Sequence, residues 1–131
     1  MATPQRPLSP HLQIYRWQIT MTLSILHRVT GVVLAIGAFG VVWWLVAVVG
    51  GGDRYTDFMA VAASWPGRIM LIGFSYCLIY HLLNGLRHML WDSGRAMEIL
   101  QVYQTGWTVV ALSILGTAAL WWYVFGHGVT A

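Results

Sequence analysis

Long apolar stretches without charge are the feature that most constrains the fold of this chain. No charged residue occurs from position 29 to 52 or from 107 to 125, and the stretch from 68 to 91 is also mainly apolar. A helix needs about 20 apolar residues to cross the hydrocarbon core of a bilayer. Because lipid cannot satisfy backbone hydrogen bonds, such stretches cross as helices. The sequence therefore predicts an all-α membrane protein with three transmembrane helices.

The composition supports a membrane location. Of the 131 residues, 58% are hydrophobic and 8% are charged, whereas soluble domains average about 25% charged residues. The seven basic residues are arginines scattered around the ends of the apolar stretches, so we expect no nucleic-acid partner. The single cysteine, Cys77, excludes an internal disulfide. The N-terminal residues lack the apolar core of a secretory signal and also lack a long arginine- and serine-rich presequence. We therefore expect a bacterial and not a mitochondrial protein, which crosses the inner membrane several times.

The pattern predicts a single membrane-anchor domain over residues 1–131. A proline-bearing segment, residues 1–18, is expected to be extended and to precede the first helix. The three spans are expected at about residues 20–49, 68–91 and 107–125. Residues 50–67 would form a connecting loop with room for a short surface helix, and 92–106 a polar connector.

Two local features of the first span carry predictions. Thr20 and Thr22 are both suitable N-caps, so the helix is expected to begin near them. Gly31, Gly37 and Gly40 are expected to allow a neighbouring helix to pack closely, since small residues let helix backbones approach each other in membranes.

The distribution of arginines predicts the orientation. Two arginines, Arg54 and Arg68, flank the first loop, and five lie on the other side of the spans: Arg6, Arg16, Arg28, Arg87 and Arg95. Because cytoplasmic loops carry an excess of basic residues, the N-terminus and the second connector should be cytoplasmic.

Ionisable residues line one face of the second span. His81, Gly85, His88 and Asp92 follow helical spacing and therefore share a face. Near the start of the first span, Ser24, His27 and Arg28 form a second cluster on one helix face. Ionisable groups inside a membrane are costly to place there, so both clusters are candidate functional sites.

The expected depths of these residues suggest a haem. The two spans are antiparallel, so His27 and His88 should lie near the cytoplasmic interface, with His81 about 10 Å deeper. His81 could then be an axial ligand at the level of the iron. His27, Arg28 and His88 could contact the propionates, and Arg87 would have to reach round from another face. Two histidines on one helix face cannot straddle one iron, so the second ligand would come from another chain of a hetero-oligomeric helix bundle.

Simpler interpretations remain open at this point. A lone histidine within a membrane is often a hydrogen-bonding residue between helices. Arg28 and Arg87 could be anchors at the cytoplasmic interface. Asp92 could pair with His88 or Arg95 at the end of a helix.

Two longer patterns resemble signatures of the succinate dehydrogenase cytochrome b subunit family. The first spans residues 6–12 and 24–31, and the second spans residues 81–94. The residues that carry the resemblance are Arg6, Pro7, Ser9, Pro10, His11, Ser24, His27, Arg28, Thr30, Gly31, His81, Asn84, Gly85, Arg87, His88, Trp91, Asp92 and Gly94. With three spans, these patterns cover nearly the whole chain.

The resemblance implies a non-catalytic membrane-anchor subunit of succinate:ubiquinone oxidoreductase, which passes electrons from the iron–sulfur subunit to ubiquinone. It implies that His81 is an axial ligand of haem b, with the second ligand supplied by a partner anchor subunit. It also implies that Ser24 and Arg28 help to bind ubiquinone and that His27 and Arg28 approach the propionates. The N-terminal signature implies contact with the iron–sulfur subunit, which in turn carries the flavoprotein subunit.

Several functional alternatives accompany this expectation. His27, His88 or Asp92 could lie on a proton route to the quinone. The chain could instead anchor a fumarate reductase, since the sequence does not set the direction of catalysis. A structural membrane anchor without a redox role and a small transporter or channel are further alternatives, although the latter would not explain the signatures.

Overall fold

The chain folds into four α-helices over the part that the computed structural model describes, His11 and residues 14–127. In chain order they are α1 (Ile19–Gly50), α2 (Gly52–Ala63), α3 (Trp65–Asp92) and α4 (Ile99–Gly126). Three of them, α1, α3 and α4, are long and apolar enough to cross a membrane. The prediction of an all-α protein with three transmembrane helices is confirmed. Of the segment 1–18 that is expected to be extended, residues 1–10, 12 and 13 lie outside the described residues. In the described part the carbonyl oxygen of His11 accepts from the backbone NH groups of Ile14 and Tyr15, both at 3.0 Å, which is a turn, and Gln18 is extended.

The helices extend beyond the apolar stretches that predicted the spans. The first helix begins at Ile19, with Gln18 in an extended conformation at the N-cap position. A threonine N-cap is therefore wrong here, and the Thr22 hydroxyl instead donates to the carbonyl oxygen of Gln18 at 3.3 Å. At the other connector, α4 already begins at Ile99, well before position 107. Hydropathy marks only the part of a helix that lies in lipid, so polar turns at a helix end do not show in it.

The loop between the first two spans is largely helical. Gly51 and Gly52 have φ angles of +58° and +48°, a left-handed region that glycine adopts without the steric cost that other residues meet. The turn that they form leads directly into α2. Trp43 of α1 packs edge-on against Phe58 of α2, with 5.0 Å between the ring centroids.

The start of α3 follows ordinary N-cap chemistry. The backbone NH of Gly67 donates to the hydroxyl oxygen of Ser64 at 3.2 Å, and Pro66 occupies the first turn. Proline is tolerated there because its missing NH would have no partner within the helix.

A small core joins the three long helices. Leu23, Tyr80 and Val109 are buried and pack together, one each from α1, α3 and α4. Most other large apolar side chains remain exposed, for example Phe39 at 79% and Trp122 at 83%. Exposed apolar surface of this extent is typical of helices that face lipid or other subunits.

Glycines in α1 allow close approach at two points. A Cβ atom placed on Gly31 would lie 3.2 Å from Cε1 of His81, and one on Gly37 would overlap the ring of Phe74. A Cβ atom on Gly40 would meet no described atom within 4 Å, so no close helix contact occurs at Gly40 within the described part of this chain. Gly31 and Gly37 are thus the points at which α3 lies against α1.

Candidate functional site

Three histidines from α1 and α3 form one contiguous cluster. The rings of His27 and His81 stack with 3.9 Å between their centroids and 9° between their planes. The rings of His27 and His88 are 5.3 Å apart and tilted by 55°. All three side chains are half-buried.

The depth predicted for His27 requires a correction. A Cβ atom on Gly85 would lie 3.9 Å from Cε1 of His27, so His27 lies opposite Gly85, between the two histidines of α3. The prediction counted residues from the estimated ends of the spans. Those ends contain no information on how far α1 is shifted along α3, which only the packing of the two helices sets.

Hydrogen bonds on one side of the His81 ring define its tautomer. Its Nδ1 lies 3.2 Å from the carbonyl oxygen of His27 and 3.2 Å from Oγ1 of Thr30. A carbonyl oxygen can only accept, so Nδ1 carries the proton. In neutral imidazole the lone pair of Nε2 then remains free. This is the arrangement that metal-ligating histidines adopt, with the other ring nitrogen donating to a carbonyl or similar acceptor.

The residue before His81 ties α3 to α1. Tyr80 is fully buried, and its hydroxyl donates to the carbonyl oxygen of Leu23 at 2.9 Å. The bond joins the helices one residue from His81 on α3 and one residue from Ser24 on α1. Tyr80 therefore sets the relative position of the two candidate clusters, a role that no sequence pattern indicated.

Arg87 faces α4 and not the histidines. Its side chain is only 4% exposed, with Nε donating to Oγ1 of Thr105 at 3.1 Å and Nη2 donating to the carbonyl oxygen of Val102 at 3.0 Å. The guanidinium also lies 4.0 Å from the ring centre of Trp91. Through these contacts Arg87 holds α3 to α4. Its guanidinium is therefore not free to reach round to a propionate on the histidine side of α3.

The other predicted site residues lie around the cluster. Ser24 is half-buried and Arg28 is exposed on α1, where their spacing places them one turn apart. Asp92 is exposed and is the last residue of α3. Exposure leaves both Arg28 and Asp92 accessible to a ligand or a further subunit.

A buried amide accompanies the histidines. Asn84 is fully buried, and its Nδ2 lies 3.4 Å from Nε2 of His88. Within the described part of the chain, Oδ1 of Asn84 and Nδ1 of His27 are buried without a hydrogen-bond partner. Buried polar atoms normally find partners, so this region has capacity to bind a further polar group.

A cavity of about 550 Å³ lies away from the histidines. Its walls come from all four helices and are almost entirely apolar, with Arg68 as the charged lining residue. None of the predicted site residues lines it. The candidate site is therefore the histidine cluster and the surface around it.

Sequence reasoning gave no role to Thr30, although a signal was present. Thr30 follows His27 by three positions and therefore shares a helix face with it. Its hydroxyl donates to the carbonyl oxygen of His27 at 3.0 Å. The sequence of α1 does not reveal that Nδ1 of His81, on α3, contacts the same hydroxyl at 3.2 Å.

The fold and the site together define the class: a protein with three helices long and apolar enough to cross a membrane, two of which bring three histidine side chains together. A family model described as succinate dehydrogenase/fumarate reductase transmembrane subunit matches residues 2–120. The chain belongs to this family.

Individual relatives agree with the family match. The succinate dehydrogenase cytochrome b556 subunit of Rickettsia prowazekii (strain Madrid E) is 47% identical over 118 residues, covering 89% of this chain and 91% of the relative. The cytochrome b556 subunit of Paracoccus denitrificans is 42% identical over 110 residues, covering 84% and 85%. The mitochondrial cytochrome b560 subunit of Bos taurus is 38% identical over 122 residues, covering 90% and 71%.

Proposed function

We propose that this chain is the membrane-anchoring cytochrome b subunit of a succinate dehydrogenase. It is a multi-pass protein of the bacterial inner membrane and does not itself carry the catalytic domain of the complex. The relatives named above are succinate dehydrogenase subunits, so the alternative of a fumarate reductase anchor is not favoured. The same names also disfavour a structural anchor without a redox role and a transporter.

One observation carries the assignment of a haem b ligand to His81. The Nδ1–H group of His81 donates to Oγ1 of Thr30 and to the carbonyl oxygen of His27, which leaves Nε2 of His81 with a free lone pair. Neutral imidazole in this form is a suitable axial ligand for haem iron. When bound, the haem would supply a one-electron redox centre within the membrane. The donor chemistry of His81 therefore fits the group.

The second axial ligand would come from a partner anchor subunit. The ring of His27 lies face to face with that of His81 at 3.9 Å, which leaves no room for a porphyrin between them. His88 shares the helix face of His81 and cannot reach the opposite side of one iron. In a hetero-oligomeric bundle of two anchor subunits, the partner would supply the second ligand, and neither His27 nor His88 would be needed for that role.

His27, Arg28 and His88 would contact the haem propionates. His27 and His88 are neighbours in the cluster, and the unpartnered Nδ1 of His27 is a polar atom that a carboxylate or water could satisfy. Arg28 follows His27 directly and is exposed. Arginine is suited to this role because its guanidinium donates two parallel hydrogen bonds to a carboxylate.

Ser24 and Arg28 would bind ubiquinone as substrate. The two residues lie one turn apart on α1, so a hydroxyl donor and a cation face the same side. Ser24 would donate to a quinone carbonyl, and Arg28 would stabilise negative charge as it develops on the oxygen during reduction. Asp92, exposed at the end of α3, would lie on the route by which protons reach the quinone.

The remaining partners and the orientation follow from this function. The N-terminal segment would contact the iron–sulfur subunit, which passes electrons from the flavoprotein subunit. We place the N-terminus and the α3–α4 connector in the cytoplasm, because five of the seven arginines lie on that side.

Two variants of the intact complex test these assignments. His81→Leu should abolish or alter the b-type absorption spectrum of the dithionite-reduced complex, and an unaltered spectrum would exclude His81 as ligand. Ser24→Ala should lose ubiquinone reduction while retaining haem, assembly and succinate oxidation with an artificial acceptor. Unchanged ubiquinone reductase activity would exclude Ser24. Failure of the tagged chain to co-purify with a flavoprotein and an iron–sulfur protein would overturn the function as a whole.

A further inference from the structure

We propose that Thr30 is a positioning residue for His81: it accepts a hydrogen bond from Nδ1–H and so holds the imidazole in that tautomer. Through this hydrogen bond, Thr30 lowers the reduction potential of the haem that Nε2 of His81 binds. The inference rests on the proposed role of His81 as a haem ligand. It adds a residue of α1 whose hydroxyl contacts both the imidazole of His81 and the backbone carbonyl oxygen of His27.

The hydrogen bonds of the Thr30 hydroxyl fix its direction. Oγ1 of Thr30 donates its single proton to the carbonyl oxygen of His27 at 3.0 Å. Its lone pairs are therefore the groups that face Nδ1 of His81 at 3.2 Å. Thr30 consequently accepts from His81, as the His27 carbonyl does, and both contacts require the same tautomer.

Burial makes this contact well defined. Thr30 is only 4% exposed, so water does not compete readily for its hydroxyl. Gly31, the next residue, allows the ring to come close, because any side chain there would press on Cε1 of His81. The backbone of α1 from His27 to Gly31 thus forms a cradle for one edge of the His81 ring.

The chemical consequence is a more electron-rich ligand. A hydrogen bond accepted from Nδ1–H raises the basicity of the imidazole, and hydrogen bonding to an axial ligand is one of the means by which proteins tune haem potentials. A more basic ligand favours the oxidised, more positively charged iron. Loss of the Thr30 acceptor should therefore raise the midpoint potential, with the His27 carbonyl left as the remaining acceptor.

The experiment compares three substitutions in the purified complex. Thr30→Val removes the hydroxyl at almost constant shape, Thr30→Ser keeps the hydroxyl, and Thr30→Ala removes both the hydroxyl and the methyl group. We expect Thr30→Val and Thr30→Ala to shift the haem b midpoint potential upward in a redox titration, and Thr30→Ser to remain near the parent value. If Thr30→Val does not assemble, the difference between Thr30→Ala and Thr30→Ser isolates the hydroxyl.

Two results would overturn the inference. One is an unchanged potential without the hydroxyl, and the other is an equal shift in Thr30→Ser, which would indicate a packing effect. The His81→Leu variant separates this failure from failure of the proposed function. If His81→Leu retains its b-type spectrum, the ligand assignment is wrong. If it loses the spectrum while the Thr30 variants keep the parent potential, only the role of Thr30 is wrong.

Discussion

The imidazole of His81 lies flat against that of His27, with 3.9 Å between the ring centroids, while its Nδ1 faces the backbone carbonyl oxygen of His27 at 3.2 Å. One residue of α1 thus contacts His81 through both its side chain and its backbone. The arrangement orients His81 from the α1 side and leaves Nε2 free for a ligand. It also means that changes in α1 should be detected at His81.

Gly31→Ala should displace the ring of His81 while leaving its hydrogen-bonding groups unchanged. The added Cβ atom would lie 3.2 Å from Cε1 of His81, closer than carbon atoms normally pack. We expect an altered b-type spectrum and a loss of stability of about 1–3 kcal/mol, the usual cost of overpacking. Absorption spectra and thermal unfolding of the detergent-purified complex measure the two effects.

Gly73→Ala, eight residues before His81 on α3, is the matched control for that substitution. Its Cβ atom would meet no described atom within 4 Å. The spectrum should therefore stay close to that of the parent complex. Equal effects of the two substitutions would show that the approach of His81 to Gly31 is not the cause.

Arg87→Lys should weaken the attachment of α4 to α3. Lysine keeps the charge but cannot reproduce the planar fork that reaches both Thr105 and Val102, nor its stacking on Trp91. We expect a loss of about 2 kcal/mol, in line with hydrogen bonds made by charged groups. Thermal unfolding of the complex in detergent measures it.

Arg54→Lys serves as the control because Arg54 is exposed on α2. Its effect should stay within about 0.5 kcal/mol. A transition temperature for Arg87→Lys that matches that of Arg54→Lys would contradict a structural role for Arg87.

Tyr80→Phe should remove one buried hydrogen bond and leave the packing of the ring intact. The hydroxyl bonds to the carbonyl oxygen of Leu23 at 2.9 Å in a fully buried position. A hydrogen bond of this kind contributes about 1 kcal/mol net, so the thermal transition should fall modestly. Tyr103→Phe, at an exposed position of α4, should leave it unchanged, and similar results for both would argue against the bond.

Gly37→Ala should separate α1 from α3. The added methyl group would overlap the ring of Phe74, and relief of such overlap costs about 1–3 kcal/mol. Gly40→Ala, one turn further on, meets no described atom within 4 Å and should be neutral or stabilising by up to about 1 kcal/mol through helix propensity. Comparable losses in both variants, measured by thermal unfolding, would contradict the close approach at Gly37.

The candidate site could be found from the sequence only in part. His81 was recognisable because an ionisable residue in an apolar helix stands out by its cost, and the two signatures marked the surrounding residues. The partners of Arg87 could not be found from the sequence, for a physical reason. Its place on α3 indicated only which way it points, and its partners Thr105 and Val102 belong to a helix whose rotation the sequence does not reveal.

The class of the protein and the number of its spans can be read from the sequence alone. Those properties depend on the length and polarity of continuous segments measured against a bilayer of known thickness. Packing between the helices was needed to show that His27 lies between His81 and His88. The same holds for the nitrogen of His81 that carries the proton and for Thr30 as an acceptor of its hydrogen bond. These depend on the axial shift and rotation of α1 against α3, which are set by a few contacts, such as Tyr80 with Leu23 and Gly31 with His81. Helical periodicity indicates which residues share a face, but only packing between helices determines what each face meets.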